Sequence, residues 1–221
     1  MKIYGALSEE VRPLYDYNKP HLDKYGIPYE FKELDLEREG RSHFLTYKFG
    51  LCMLKRSEYW MEVMEKTEDG GIIIFTDLDV IPLGDYRTLL PWISDVDLCF
   101  MRETKSRTAS INCGFILLRK TPDVMDLFND WIKRCRWTFS KKNYLNEQKV
   151  MSQRLRAKKF NYKTFTHRIV SREPYLVFKE TIAYHAINVG RDIPVDGVDT
   201  QGWVSKIGAM EKARLKSERV K

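Results

Sequence analysis

Apolar and polar positions alternate from Lys2 to Leu7 with the period of a strand. Ser8 then offers a capping oxygen ahead of Glu9 and Glu10, the charge a helix N-terminus favours. In the helix this predicts, Val11, Leu14, Tyr15, Leu22 and Tyr25 share one face. Pro13 suits a first turn, Pro20 interrupts the pattern and Gly26 ends it. Pro28 to Asp35 reads as a second strand. Ser42 is placed to cap a longer helix in which Phe44, Leu45, Lys48, Leu51, Cys52, Lys55, Tyr59 and Val63 recur at three- and four-residue steps, closing near Gly70 and Gly71. Ile72 to Thr76 differs in kind. It is β-branched and apolar without alternation, as expected of a central strand covered on both faces. Residues 1 to 80 therefore spell βαβαβ, half of a doubly wound sheet, where ligands gather beyond the carboxyl ends of the strands.

After Pro82, Val96 to Glu103 and Ile111 to Lys120 read as two further strands. Thr121, Pro122 and Asp123 supply cap, first-turn proline and acidic first turn to a helix whose apolar face is Val124, Leu127, Phe128, Trp131, Ile132 and Cys135. Asn146 to Ala157 reads as another helix, Tyr175 to Ala186 holds strand-like material, and Asp192 to Gln201 is a loop punctuated by glycine and proline. The expected organisation is one α/β body over 1 to 205, with 206 to 221 as a basic helical tail or linker.

Composition narrows the class. The 221 residues suit one domain, and 43% hydrophobic with 31% charged residues is ordinary for a globular protein. No apolar run approaches the roughly 20 residues that span a bilayer. The first ten residues turn acidic too soon for a signal peptide, so a cytoplasmic location is expected. Cys52, Cys99, Cys113 and Cys135 form no Cys-x-x-Cys pair, which argues for reduced thiols rather than a zinc or redox site. The net charge of +7 invites an anionic partner. Its excess lies in Lys133 to Lys142, Arg154 to Lys159 and the tail, as on solvated helix faces. The aromatic signature of an RNA-binding strand is missing, so nucleic acid is not an expected partner.

The chemistry centres on Asp77 and Asp79. Carboxylates two positions apart on an extended segment point the same way, so both reach one hard divalent ion and leave positions open for diphosphate oxygens. Such an ion neutralises the charge that builds on a departing nucleoside diphosphate. A rival chemistry shares the letters: haloacid-dehalogenase-type phosphatases also place Asp-x-Asp after a hydrophobic strand, but on the first strand and with a late acidic pair. Here two βα units come first, and Ser94 to Asp97 begins a strand. A third possibility is a non-catalytic basic module that binds nucleotides or anionic surfaces.

Four segments in order, Phe75-Thr-Asp-Leu-Asp-Val-Ile-Pro82, Ile111-Asn-Cys-Gly-Phe-Ile-Leu-Leu-Arg119, Asn146-Glu-Gln-Lys-Val150 and Tyr184-His-Ala-Ile-Asn188, resemble the GT-A-fold nucleotide-diphospho-sugar glycosyltransferases over about residues 1 to 190. The likeness is nearest to the small capsid-glycosylating members from large algal viruses, for which the compartment would be the host cytoplasm. The resemblance implies a single Rossmann-like GT-A domain with a mixed, mainly parallel sheet flanked by helices. It also implies a UDP-sugar donor, Mn²⁺ or Mg²⁺, and a glycan or glycoprotein acceptor.

Carried over residue by residue, the resemblance makes Asp79 the more direct metal ligand, shares Asp77 between metal and ribose, and makes His185 the third ligand; an imidazole favours manganese. A satisfied core histidine is the plain alternative. Asn112 and Gly114 match the segment beside the donor sugar, or mark a strand bulge. Lys48 matches a basic residue that reaches the donor, or is solvated. Arg191 is placed to pair with diphosphate, and Gly5 and Ala6 end the strand on which uracil and ribose pack. Glu147 and Gln148 match the pair facing the anomeric carbon in retaining relatives, although Glu147 also suits a helix N-terminus. Retention is the expected outcome.

Overall fold

The run Ile72–Thr76 forms β3, and four of its five residues are buried. In this computed structural model, which describes residues 1–36, 47–103, 111–142, 145–173, 176–186 and 201–220, β3 stands inside a six-stranded sheet. It is preceded by β1 (Lys2–Leu7), α1 (Arg12–Asp23), β2 (Tyr29–Glu33) and α2 (Tyr47–Lys66), the βαβαβ order expected. It is followed by β4 (Val80–Pro82), β5 (Leu98–Arg102), β6 (Ile111–Arg119), α3 (Pro122–Lys142), α4 (Glu147–Ala157), β7 (Lys163–Phe165), β8 (Val170–Ser171), β9 (Ala183–His185) and α5 (Gln201–Val220).

The strand order is β2-β1-β3-β6-β5-β7. β1, β2 and β3 are parallel, β6 is antiparallel to both β3 and β5, and β5 is parallel to β7, so β6 alone of the six runs counter to the rest. The sheet is thus mixed and mainly parallel, flanked by helices. The reversal matters for the site, because it brings the first residues of β6 to the edge where β3 ends. Between Phe100 opposite Ile116 and Met101 opposite Asn112 the β5–β6 register shifts, so the strand is irregular at Asn112 to Phe115.

Alternate residues of the central strands feed two cores. Ile73 and Phe75 of β3 and Ile116 and Leu118 of β6 pack under α2, α3 and α4, with Trp60 stacked on Phe75 at 4.7 Å between ring centroids. Ile74 of β3 and Phe115 and Leu117 of β6 face Leu22 of α1 and the short helical stretch Tyr86–Ile93. A third cluster joins Leu14 of α1, Leu78, Ile81, Tyr184 and the α5 residues Met210 and Ala213. A small sheet, β4-β9-β8, lies against this third cluster.

Some local expectations differ from the fold. Ser8 makes no side-chain cap bond, and a 3-10 turn, Glu9–Val11, precedes α1. Pro20 does not interrupt α1, which continues to Asp23. Leu14, Asn18 and Leu22 are all buried along the other face, and that burial outweighs one lost hydrogen bond at an exposed proline. The stretch from 176 to 186 contributes only β9, and β4, β7 and β8 are too short to show a period. Ser42, Phe44, Leu45 and Arg191 lie outside the described residues.

Candidate active site

β3 ends at Thr76, and the chain turns: the Val80 N–H donates to the Asp77 carbonyl at 3.3 Å and the Asp77 N–H to the Gly114 carbonyl at 2.8 Å. β4 then pairs antiparallel with β9, placing His185 opposite Val80, and the Ala186 N–H donates to the Asp79 carbonyl at 2.9 Å. This cross-bracing brings Asp77 and Asp79, from the turn between β3 and β4, together with His185 at the end of β9, as a set whose ligand atoms all lie within 4.8 Å of one another. His185 Nε2 is 2.9 Å from Asp79 Oδ1, and both residues are buried.

α1 holds the turn from behind. The buried Asn18 amide donates to the carbonyls of Leu78 at 3.3 Å and Val80 at 2.6 Å, on either side of Asp79. Two cations close on the carboxylates from different helices. Arg56 of α2, 5% exposed, pairs with Asp77 through one nitrogen and with Glu147 at 2.8 Å through another, its guanidinium lying 4.6 Å from the Trp60 ring. Lys206 of α5 pairs with the second oxygen of Asp79.

The electrostatics follow from this geometry. Burial disfavours charge on Asp79, but Lys206 and then His185 outweigh it and hold the carboxyl well below the usual range. Burial pushes the Glu147 carboxyl up by more than Arg56 pulls it down. Burial, then Glu147, keeps the Cys113 thiol protonated, so Cys113 is no thiolate nucleophile despite its place between Asn112 and Gly114.

Gly114 sits at the centre. A Cβ there would fall 2.2 Å from His185 Cε1 and 2.9 Å from both Asn112 Oδ1 and Asp77 Oδ2. Asn112 Oδ1 accepts from the Gly114 N–H at 2.7 Å while its Nδ2 donates to Glu103 at 2.7 Å, and Arg172 pairs with Glu103 at 3.2 Å. Gln148 Oε1 accepts from the Cys113 N–H at 3.3 Å, so the first turn of α4 abuts the start of β6. Gly5, near the end of β1, also faces this edge: a Cβ on it would meet the Thr76 carbonyl at 2.9 Å and the Phe31 ring at 2.2 Å. Ala6 follows it on the same strand.

The structure thus gathers Asp77, Asp79, His185, Asn112, Gly114, Glu147 and Gln148, with Gly5 and Ala6 at the same sheet edge. Lys48 lies at the half-buried start of α2, two turns before Arg56, and the guanidinium on Asp77 is that of Arg56. Sequence reasoning missed Arg56, Lys206, Asn18, Glu103 and Arg172. Two carried a signal: Arg56 and Asn18 are polar residues on otherwise buried helix stripes, where a polar side chain needs a partner.

The donor set fits a divalent cation. Two carboxylates supply hard oxygens, one imidazole supplies nitrogen, His185 Nδ1 is buried without a hydrogen-bond partner, and glycine keeps the centre clear. Among the described residues no helix is long and apolar enough to cross a membrane.

The sequence profile of a family described as nucleotide-diphospho-sugar transferase matches residues 22–192. No curated protein matches the sequence. Among solved structures, the chain is similar to a glycosyltransferase involved in the glycosylation of the major capsid of PBCV-1, at 14% identity and a TM-score of 0.62, covering 95% of this chain and 98% of that one. It is also similar to the galactosyltransferase LgtC in complex with donor and acceptor sugar analogues, at 13% identity and a TM-score of 0.54, covering 95% and 96%. A third is mouse xyloside xylosyltransferase 1, at 10% identity and a TM-score of 0.53, covering 88% and 100%. At these identities the likeness is one of fold.

Proposed function

The chain belongs to the nucleotide-diphospho-sugar transferase family and is a glycosyltransferase, and from that premise we propose that it transfers a sugar from a UDP-linked donor, with Mn²⁺ as the cation, to a glycan or glycoprotein acceptor with retention of configuration. The observation that carries the reading is the convergence of Asp77, Asp79 and His185 beside Gly114 at the end of β3.

Asp79 and His185 would hold the cation from the buried side and Asp77 from the open side. When bound, the ion supplies electrostatic stabilisation to the departing diphosphate. Uracil and ribose would pack at the end of β1 beside Ala6, while the missing Cβ of Gly5 admits the Phe31 ring. The donor sugar would lie against Asn112, whose second Nδ2 hydrogen can meet a sugar hydroxyl, while the missing Cβ of Gly114 admits the His185 ring. Gln148 would flank the sugar from the first turn of α4.

Retention is supported by the state of Glu147. An inverting enzyme needs a carboxylate base that reaches the acceptor hydroxyl, whereas Glu147 is buried and bonded to Arg56. Its part is then to orient Arg56 and, through it, Asp77. The acceptor proposal rests on the named roles of the similar proteins, one involved in the glycosylation of a major capsid and another in complex with donor and acceptor sugar analogues.

The test is incubation with a panel of UDP- and GDP-sugars, with and without Mn²⁺, scoring both transfer and slow donor hydrolysis. Turnover of a UDP-sugar that requires the metal is expected. Absence of metal-dependent turnover with every donor would sink the reading.

A further inference from the structure

Both oxygens of Asp79 are engaged, one by His185 Nε2 at 2.9 Å and the other by the ammonium of Lys206. Lys206 comes from the second turn of α5, a helix beyond the segment that matches the family profile, 22–192. α5 is fixed to the body one to two turns further on. The Tyr17 hydroxyl of α1 donates to Glu211 at 2.7 Å, Arg214 donates to the same carboxylate at 2.6 and 2.8 Å, and Met210 and Ala213 are fully buried. Tyr17 neighbours Asn18, which holds the turn carrying Asp79. One helix therefore presents the carboxylate and also anchors the helix that carries the opposing cation.

We infer that Lys206 sets the metal affinity of the site by competing with the divalent cation for Asp79. The inference rests on the reading of Asp77, Asp79 and His185 as metal ligands. A divalent ion held by Asp79 beside His185 would stand close to the ammonium that already occupies the other oxygen of the same carboxylate. Even at an effective dielectric constant of about 20, charges about 4 Å apart repel by several times the thermal energy. Metal loading then obliges the Lys206 side chain, 30% exposed, to swing away from Asp79 toward solvent or toward an anion brought by the ligand. The Tyr17, Glu211 and Arg214 contacts stay in place, so the movement is confined to the first turns of α5. The site gains a threshold: only a cation that binds Asp79 more strongly than an ammonium does can enter.

The experiment titrates Mn²⁺ into the full chain without nucleotide, following the free-ion electron paramagnetic resonance signal. The proteins are wild type, Lys206→Met, Lys206→Arg and, as a control on an exposed position of the same helix, Lys216→Met. Because the Lys206 side chain can turn toward solvent, only part of that repulsion reaches the bound ion, and Lys206→Met is expected to tighten Mn²⁺ binding by at least about ten-fold. Lys206→Arg and Lys216→Met should stay near wild type. Hydrogen exchange on wild type, which needs no variant to fold, should show faster exchange at residues 205–207 on Mn²⁺ addition and no change at 210–214. Equal or weaker binding by Lys206→Met, or unaltered exchange at 205–207, overturns the inference while leaving the metal reading intact. Failure of wild type and Lys206→Met alike to bind Mn²⁺ overturns both.

Discussion

The side-chain amide of Asn18 donates to the Val80 carbonyl at 2.6 Å, so that α1, which contributes none of the candidate ligands, fixes the backbone on which Asp79 is presented. Replacing Asn18 by Ala removes both its bonds and leaves two buried carbonyls short of a donor, a cost of about 1–3 kcal/mol. Urea unfolding reads that loss. A positioning role further requires weaker Mn²⁺ binding in the folded variant, and destabilisation with unchanged Mn²⁺ affinity would reduce Asn18 to a structural residue.

Asp79 and Asp77 should not be equivalent. Asp79 is buried with His185, whereas Asp77 is partly exposed and shared with Arg56. Calorimetry of UDP binding with and without Mn²⁺ is expected to lose its metal dependence entirely in Asp79→Ala and to retain a weakened form of it in Asp77→Ala. Metal-dependent binding that survives Asp79→Ala removes the pair from the site.

Arg56→Met leaves the Asp77 and Glu147 carboxylates without their shared cation. Breaking a buried ion pair by deleting one partner costs about 3–5 kcal/mol, measurable by urea denaturation near neutral pH. Lys at this position keeps the charge but cannot span both carboxylates in a fork, so Arg56→Lys should fall between Met and wild type.

Gly114→Ala would place a methyl carbon on the His185 ring. The clash is with a buried side chain braced by Asp79, so His185 must move, at an overpacking cost of about 1–3 kcal/mol. The variant is expected to melt earlier and to bind Mn²⁺ more weakly. Wild-type Mn²⁺ affinity in Gly114→Ala would show that the centre of the cluster is not where the cation sits.

The pH dependence of α5 docking follows from Glu211. Hydrogen bonds from Arg214 and Tyr17 lower its pKa from the ordinary 4.5 to about 2. A carboxylate with a depressed folded-state pKa contributes stability that is present above the unfolded value and lost as pH falls through the folded one. Wild type should therefore lose more stability than Glu211→Gln between pH 4.5 and about 2, the window given by those two values. Parallel acid-unfolding curves for the two proteins would contradict this account of how α5 is held.

The parts of this fold that show in the sequence are those written in local pattern. β3 could be recognised because a strand covered on both faces loses its alternation, and the acidic pair could be placed because βα units precede it. β4, β7 and β8 could not, since two or three residues carry no period, although β4 and β9 align His185 with Asp79. Lys48 and Arg56 lie eight residues apart on nearly the same side of α2. Periodicity gives the face of a helix, and only packing against Trp60 and Phe75 gives the depth at which a charge meets Asp77. Lys206 left no trace, because its partner is chosen by how α5 docks on α1.

The ion pair between Asp79 and Lys206 also orders events during synthesis. The two residues stand 127 positions apart, and chains emerge N-terminus first at roughly 5–20 residues per second, so the acid leaves the ribosome roughly 6–25 s ahead of its cation. Through that interval Asp79 lacks the ammonium that, with His185, compensates the burial of its charge. The pairing of Lys206 with Asp79 therefore waits until α5 has emerged.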